Sequence, residues 1–240
     1  MMIMKVHYVT YATHSFGLFE ELKNNKFKVP IKVLGWNTKW INFMDKIKGI
    51  EKYTHELKDD DILVFLDGFD TIINKDPKNI KQLFLAFKSK IVVSKEHAPF
   101  GDYIPRRVFG TCNGDRTANS GMYMGYVSSI RQMCNMILKL DTIDDQHGLN
   151  AVCANMDVKI DMENVLFTNT IDKNKVCDSL FISYPGGFAF NMRDKLKRYK
   201  RSIVEYSPYL KREILFIILL CIAIYYRKEL TSRIKSILQK

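Results

Sequence analysis

The sharpest chemical signal in this sequence is Asp67-Gly68-Phe69-Asp70, which follows the unbroken apolar run Ile62-Leu63-Val64-Phe65-Leu66. Two carboxylates this close suit a hard divalent cation, and such a cation can hold a diphosphate. The structural alternative is that the acids only open a loop. A phosphatase with an aspartate nucleophile after its strand would carry D-x-D, so the D-x-x-D spacing counts against that chemistry. Asp144 and Asp145 form a second acidic group, at the start of an expected helix. Acids favour that positive end, so charge alone gives them a purely local role. Arg106 and Arg107 are candidates to meet an anion, although arginines on a loop are more often just solvated.

The elements that must position these residues read as alternating strands and helices. Five consecutive apolar residues predict a strand buried on both faces, as in a parallel sheet covered by helices. In such an open α/β sheet, ligands lie in the crevice beyond the carboxyl ends of the strands. Residues 5–11 alternate and are rich in β-formers, predicting the first strand. A short helix over 16–23, a strand over 29–34 and a helix over 39–57 with apolar Trp40, Ile41, Met44, Ile47 and Ile50 complete a βαβ arrangement. Asp76 and Pro77 predict a capped helix start running to Phe87. A strand over 91–94 follows, with Glu96 just past its end. Residues 98–118 read as a long functional loop. Residues 119–126 return to a strand, Ser128 is expected to cap a helix to Leu140, and another helix begins near 141–147. His7 and His14 are expected to be structural or on the surface.

The formal net charge of +11 points to nucleic acid only until it is located. From Met192 onward the chain carries +9, and the remainder only +2. A nearly neutral body without a basic helix or interleaved basic and aromatic residues argues against a nucleic-acid partner. Five cysteines without a C-x-x-C pair suggest neither a zinc site nor a disulfide framework. The N-terminus lacks the pattern of a secretory leader, so reduced thiols and a cytosolic body are expected.

Taken in order, Asp67-Gly68-Phe69-Asp70, Ser94-Lys95-Glu96, Asn119-Ser120-Gly121 and Asp144-Asp145-Gln146 have the order and approximate spacing of one family. The chain resembles the glycosyltransferase domain of procollagen lysyl hydroxylases and the related collagen glucosyl- and galactosyltransferases. Residues 161–169 are similar to that family's D-x-x-x-x-I-F-Q-N stretch, and the resemblance extends over about 6–190. It implies an α/β fold of GT-A type, a Rossmann-like, mostly parallel sheet with flanking helices, and a hexose transferred from UDP-glucose or UDP-galactose with manganese or another divalent cation. By motif, Asp67 and Asp70 would hold the metal and the diphosphate. Asn119, Ser120 and Gly121 would bind the donor, and Asp144 and Asp145 would be catalytic, either deprotonating the acceptor hydroxyl or orienting the donor sugar. The implied acceptor is a protein or glycan hydroxyl, such as hydroxylysine or galactosyl-hydroxylysine of a collagen-like protein.

Two departures qualify the resemblance. The family's third metal ligand, a histidine, is missing from the corresponding segment Ser183-Tyr184-Pro185-Gly186-Gly187. That raises the alternative of a catalytically weakened binding or scaffold protein at a membrane. The 240 residues also leave no room for a 2-oxoglutarate dioxygenase domain, so lysyl hydroxylation is not expected of them.

The organisation expected is a glycosyltransferase-like domain over 1–192, a basic linker over 193–213, a hydrophobic helix over 214–226 and a basic tail over 227–240. The apolar run at 214–226 is 13 residues long. It would cover about 20 Å at ~1.5 Å per residue, against a hydrocarbon core of about 30 Å. Flanking tyrosines, lysines and arginines can extend its reach. The sequence reading is therefore of a C-terminal membrane anchor, with the protein associated with a membrane through it.

Overall fold

The computed structural model describes residues 4–98, 101–114, 116–172, 174–185, 204 and 207–238. These belong to two units, Met1–Phe190 and Asn191–Lys240.

The first unit is built on a six-stranded sheet. Strand β1 (Val6–Tyr11) lies between β2 (Ile31–Leu34) and β3 (Ile62–Leu66), parallel to both. Beyond β3 come β6 (Ala118–Tyr126), β5 (Ile91–Lys95) and β7 (Val158–Asp161), completing the order β2-β1-β3-β6-β5-β7. Only β6 runs against the others. A smaller sheet joins β4 (Thr71–Ile73), β9 (Phe181–Ser183) and β8 (Phe167–Asn169) in the order β4-β9-β8. This is an α/β domain with a mixed, mostly parallel central sheet flanked by helices, consistent with a GT-A or Rossmann-like fold.

The apolar run of β3 has no polar alternation because both of its faces are covered. Leu63 and Phe65 pack with Met44, Ile47 and Ile50 of α2 (Met44–Thr54), with Ile130, Met133 and Ile137 of α5 (Val127–Leu138), and with Leu149 of α6 (Asp145–Cys153). Ile62, Val64 and Leu66 face the other way, toward Leu22 of α1 (Phe19–Lys23), Phe84 of α3 (Ile80–Ala86), and Phe167 and Phe181 of the small sheet. All five side chains of β3 are buried, each contributing about 1.5–3 kcal/mol over an exposed position.

Several boundaries differ from expectation for local reasons. Helix α2 begins at Met44 rather than near Lys39. The Asp45 carboxylate accepts from the N–H groups of Ile41 and Asn42, and the Asn42 side chain accepts from Met44 N–H. Ser128 does not cap α5 with its side chain. The first N–H groups of that helix donate instead to the carbonyls of Asp61 and Asp59, at 2.9 and 3.2 Å. Within the expected loop, Tyr103–Phe109 forms a helix, α4.

Two expectations about surroundings are overturned. Cys112 and Cys153 are joined by a disulfide, with Cα atoms 4.9 Å apart. Their sequence separation of 41 gives no local motif, because the pairing is made by the tertiary fold. The expectation of reduced thiols fails at this pair. In the second unit, α7 (Lys211–Leu238) contains the apolar run, but no helix among the described residues is long and apolar enough to cross a membrane. The run is too short: every eighteen-residue stretch containing it takes in three or more charges from Lys211, Arg212 and Glu213 or from Arg227, Lys228 and Glu229. The expected membrane anchor, membrane partner and membrane location are therefore not supported. Most of the linker expected over 193–213 lies outside the described residues.

Candidate active site

The carboxyl ends of β1, β3 and β5 share one edge of the sheet, and the antiparallel direction of β6 brings its first residues to that same edge. Ser94 pairs with Asn119, and Leu66 with Met122. The motif after β3 is tied directly to the motif opening β6, since Asp67 N–H donates to Gly121 O at 2.8 Å.

Close approach favours glycine at two of these positions, most strongly at Gly68, where one of the neighbours is backbone. A Cβ on Gly68 would lie 2.9 Å from both Thr10 Oγ1 and Tyr11 O of β1, and one on Gly121 would lie 2.9 Å from Asn119 Oδ1. The turn after β3 is closed further by Phe69 N–H donating to Asp67 Oδ1 at 3.2 Å. Asn119, Ser120 and Gly121 are thus next to Asp67, and both Asn119 and Ser120 are buried.

Asn119 is fully engaged within the protein. Its Oδ1 accepts from Gly121 N–H at 2.8 Å, and its Nδ2 donates to Glu96 Oε2 at 2.8 Å and to Gln146 Oε1 at 3.3 Å. Gln146 Nε2 donates to the same Glu96 oxygen at 2.6 Å, and His97 N–H donates to Glu96 Oε1 at 2.9 Å. Burial pushes the Glu96 carboxyl above its usual range, while the hydrogen bonds from Asn119, Gln146 and His97 oppose that shift.

Asp145 and Asp67 are bridged by a residue that sequence reasoning missed. Lys46, in the first turn of α2, places Nζ 2.7 Å from Asp145 Oδ2 and 3.3 Å from Asp67 Oδ2. Burial works against its charge, but the carboxylates of Asp145 and Asp67 outweigh it and hold the ammonium above the ordinary lysine range. The available signal was helical position. Lys46 is one turn before Ile50, beside an apolar face, where a lysine needs a buried counter-charge.

Asp144 has a different position from its neighbour. It is the N-cap of α6, its Oδ1 accepting from His147 N–H at 2.8 Å. Burial, and to a lesser extent the charge of Asp145, pushes its carboxyl upward, opposed by the cap hydrogen bond. Asp70 lies on the small-sheet side. Its Oδ1 accepts from Ser183 Oγ at 3.0 Å and from Thr71 Oγ1 at 3.4 Å, and burial with the nearby Asp67 charge pushes it up to about 7. Ser183 belongs to the segment where the family's histidine was expected.

This donor set does not fit the expected manganese. Asp67 is paired with Lys46 and Asp70 is bonded to Ser183 and Thr71. Among the described residues, no group of three or more His, Cys, Asp or Glu side chains could hold a metal ion. The expectation of manganese is corrected accordingly.

Arg106 and Arg107 are exposed on α4, which packs against α6. His7 bonds Asp61 at 2.9 Å in a structural role, and exposed His14 has its ring 5.4 Å from that of Phe69.

A mixed, mostly parallel α/β sheet with acids and amides gathered at its carboxyl edge is consistent with a GT-A or Rossmann-like fold. The chain belongs to the PLOD GT domain family, whose profile matches residues 3–177. It is 23% identical over 145 residues to the human multifunctional procollagen lysine hydroxylase and glycosyltransferase LH3, and equally to that of Pongo abelii. Each alignment covers 60% of this chain and 19% of the relative, so the chain spans about a fifth of the length of the curated relatives it matches. Among solved structures, the galactosyltransferase LgtC in complex with donor and acceptor sugar analogs has a TM-score of 0.48 at 12% identity, covering 75% of this chain and 87% of that one. A197 from STIV has a TM-score of 0.41 at 13% identity, covering 65% and 81%. Both structural likenesses are too loose to bear on function.

Proposed function

We propose that this protein transfers glucose or galactose from a UDP-sugar to a hydroxyl acceptor, with hydroxylysine or galactosyl-hydroxylysine of a collagen-like protein as the acceptor class. The observation that carries this reading is the convergence of the family's ordered motifs, from Asp67 to Gln146, at one sheet edge. In the reaction, the bond between the sugar's anomeric carbon and the diphosphate oxygen breaks, a bond to the acceptor oxygen forms, and the hydroxyl proton is removed. The Asp67–Asp70 turn with Asn119, Ser120 and Gly121 shapes the donor side. Asp145, held by Lys46, orients the sugar. Asp144, whose carboxyl is pushed upward by burial, takes the proton.

The test is to incubate the full chain with radiolabelled UDP-glucose or UDP-galactose and a hydroxylysine-containing collagen-like peptide. UDP release with label on the peptide is the expected result. Failure to bind either donor overturns the reading. A second reading, a donor-binding module with weakened catalysis, is favoured by Ser183 standing in the segment of the family's histidine. Donor binding without UDP release would select it.

A further inference from the structure

The least economical feature of this edge is the Glu96 carboxylate. It is half-buried just past the end of β5, and the side-chain hydrogen bonds it accepts among the described residues come from neutral N–H groups: Asn119 Nδ2, Gln146 Nε2 and the backbone of His97. A partly desolvated charge held by amide donors costs more than an exposed one, and a neutral side chain at this place would spare the fold that desolvation.

A carboxylate is acceptor-only, which gives it something no amide supplies. Because Glu96 Oε2 takes both side-chain amides through their nitrogens, Asn119 Oδ1 is turned toward Gly121 N–H and Gln146 Oε1 toward Asn119 Nδ2. Gly121 is bonded in turn to Asp67 N–H, and Gln146 adjoins Asp145, whose carboxylate meets Asp67 through Lys46. The contacts close into a ring, and Glu96 is its acceptor-only member between the strand of Asn119 and the helix of Asp145.

We propose that Glu96 is a positioning residue for the transfer reaction, setting the place of Asp145 relative to Asp67 through Asn119 and Gln146 without itself touching substrate. The proposal rests on the transferase reading above. In Glu96→Gln, one oxygen can still accept from Asn119 and Gln146, but the new NH2 then faces the His97 N–H, donor against donor. The opposite flip sets it against both side-chain amides. Either way the ring must shift. Reacting groups displaced by a fraction of an ångström to an ångström lose rate by about tenfold to a hundredfold, while contacts made equally in ground and transition states are retained.

The experiment compares the full chain with Glu96→Gln, Glu96→Asp and Gln146→Met by sugar-transfer kinetics, calorimetric titration with UDP, and thermal melting. The expected result for Glu96→Gln is a kcat lowered about tenfold or more with UDP affinity unchanged. Glu96→Asp, which keeps the acceptor-only charge, should recover part of the rate. Parental kcat in Glu96→Gln overturns the proposal, as does a UDP affinity that falls in step with the rate, which would make Glu96 a donor-binding residue. If Glu96→Gln does not fold, Gln146→Met decides, since it removes one arm of the ring without altering charge. A parental rate there overturns the proposal, and a selective loss of kcat sustains it. If the parent chain itself neither binds a UDP-sugar nor releases UDP, the transferase reading falls and takes this proposal with it. An active parent with an unaffected variant removes the proposal alone.

Discussion

Lys46 Nζ lies 2.7 Å from Asp145 Oδ2, with both side chains buried, so that a lysine from α2 neutralises the first residue of α6 across the core. A second carboxylate, Asp67, is 3.3 Å away on the other side of the ammonium. Removing one member of such a group leaves uncompensated buried charge, typically at a cost of about 3–5 kcal/mol. Lys46→Met, which keeps the apolar stem and loses the ammonium, is expected to destabilise the body by that amount. Adding Asp145→Asn should recover part of the loss. Urea unfolding of the parent, both single variants and the double variant measures the coupling, and additive effects would show that the pair is energetically idle.

How much of this was legible in the sequence follows from which residues carry their own periodicity. The apolar run of β3 declared a strand covered on both faces, and its acidic end declared a site. An apolar pattern has no direction, so the sequence could not say that β6 runs backwards and brings Asn119, rather than Tyr126, to the edge beside Asp67. The three-residue strands β4, β8 and β9 are too short for any period to show, which hid the bond from Ser183 to Asp70. Lys46 was hidden because a lysine beside an apolar face becomes meaningful only once Asp67 and Asp145 are known to stand opposite it.

The Cys112–Cys153 disulfide ties the segment after α4 to the end of α6 and closes a loop with a sequence separation of 41. In the chain-entropy account, a loop of that length contributes about 4 kcal/mol by restricting the unfolded chain. Reduction, or Cys112→Ser, is expected to lower the melting temperature and the urea midpoint. Digestion without reductant should yield one linked peptide containing both residues. Alkylation of Cys112 and Cys153 in the folded, unreduced protein would show that the pairing is wrong.

Asp61 anchors the start of the sheet, its carboxylate accepting from Lys5 N–H at 2.8 Å and bonding His7 Nε2 at 2.9 Å. Burial pushes the carboxyl upward, but the bonds from His7 and Lys5 outweigh it and hold it below the ordinary aspartate value of 3.8. A depressed folded value means stability that is present above the unfolded value and lost as pH falls through the folded one. Asp61→Ala should therefore cost about 1–3 kcal/mol near neutral pH. The gap between parent and variant should narrow as the solution is taken below the ordinary aspartate range. Melting curves from neutral to strongly acidic pH test this, and a gap that stays constant or widens in acid would reject the assigned role.

Adjacent acids with different partners should fail differently when each is replaced by asparagine. Asn is as good an N-cap as Asp, so Asp144→Asn keeps an oxygen for His147 N–H and leaves the start of α6 intact. It removes the group proposed to take the acceptor proton. Its expected signature is a kcat lowered about a hundredfold or more, with stability and UDP affinity close to the parent. Asp145→Asn instead takes a charge from Lys46 and leaves the buried ammonium with Asp67 as its carboxylate partner at 3.3 Å. Stability should fall along with the rate, and a lower urea midpoint should separate this variant from the first. Urea unfolding, calorimetric titration with UDP and sugar-transfer rates on the two variants decide the matter. Parental transfer by Asp144→Asn would remove it as the proton acceptor, and parental stability in Asp145→Asn would mean that Lys46 is satisfied without it.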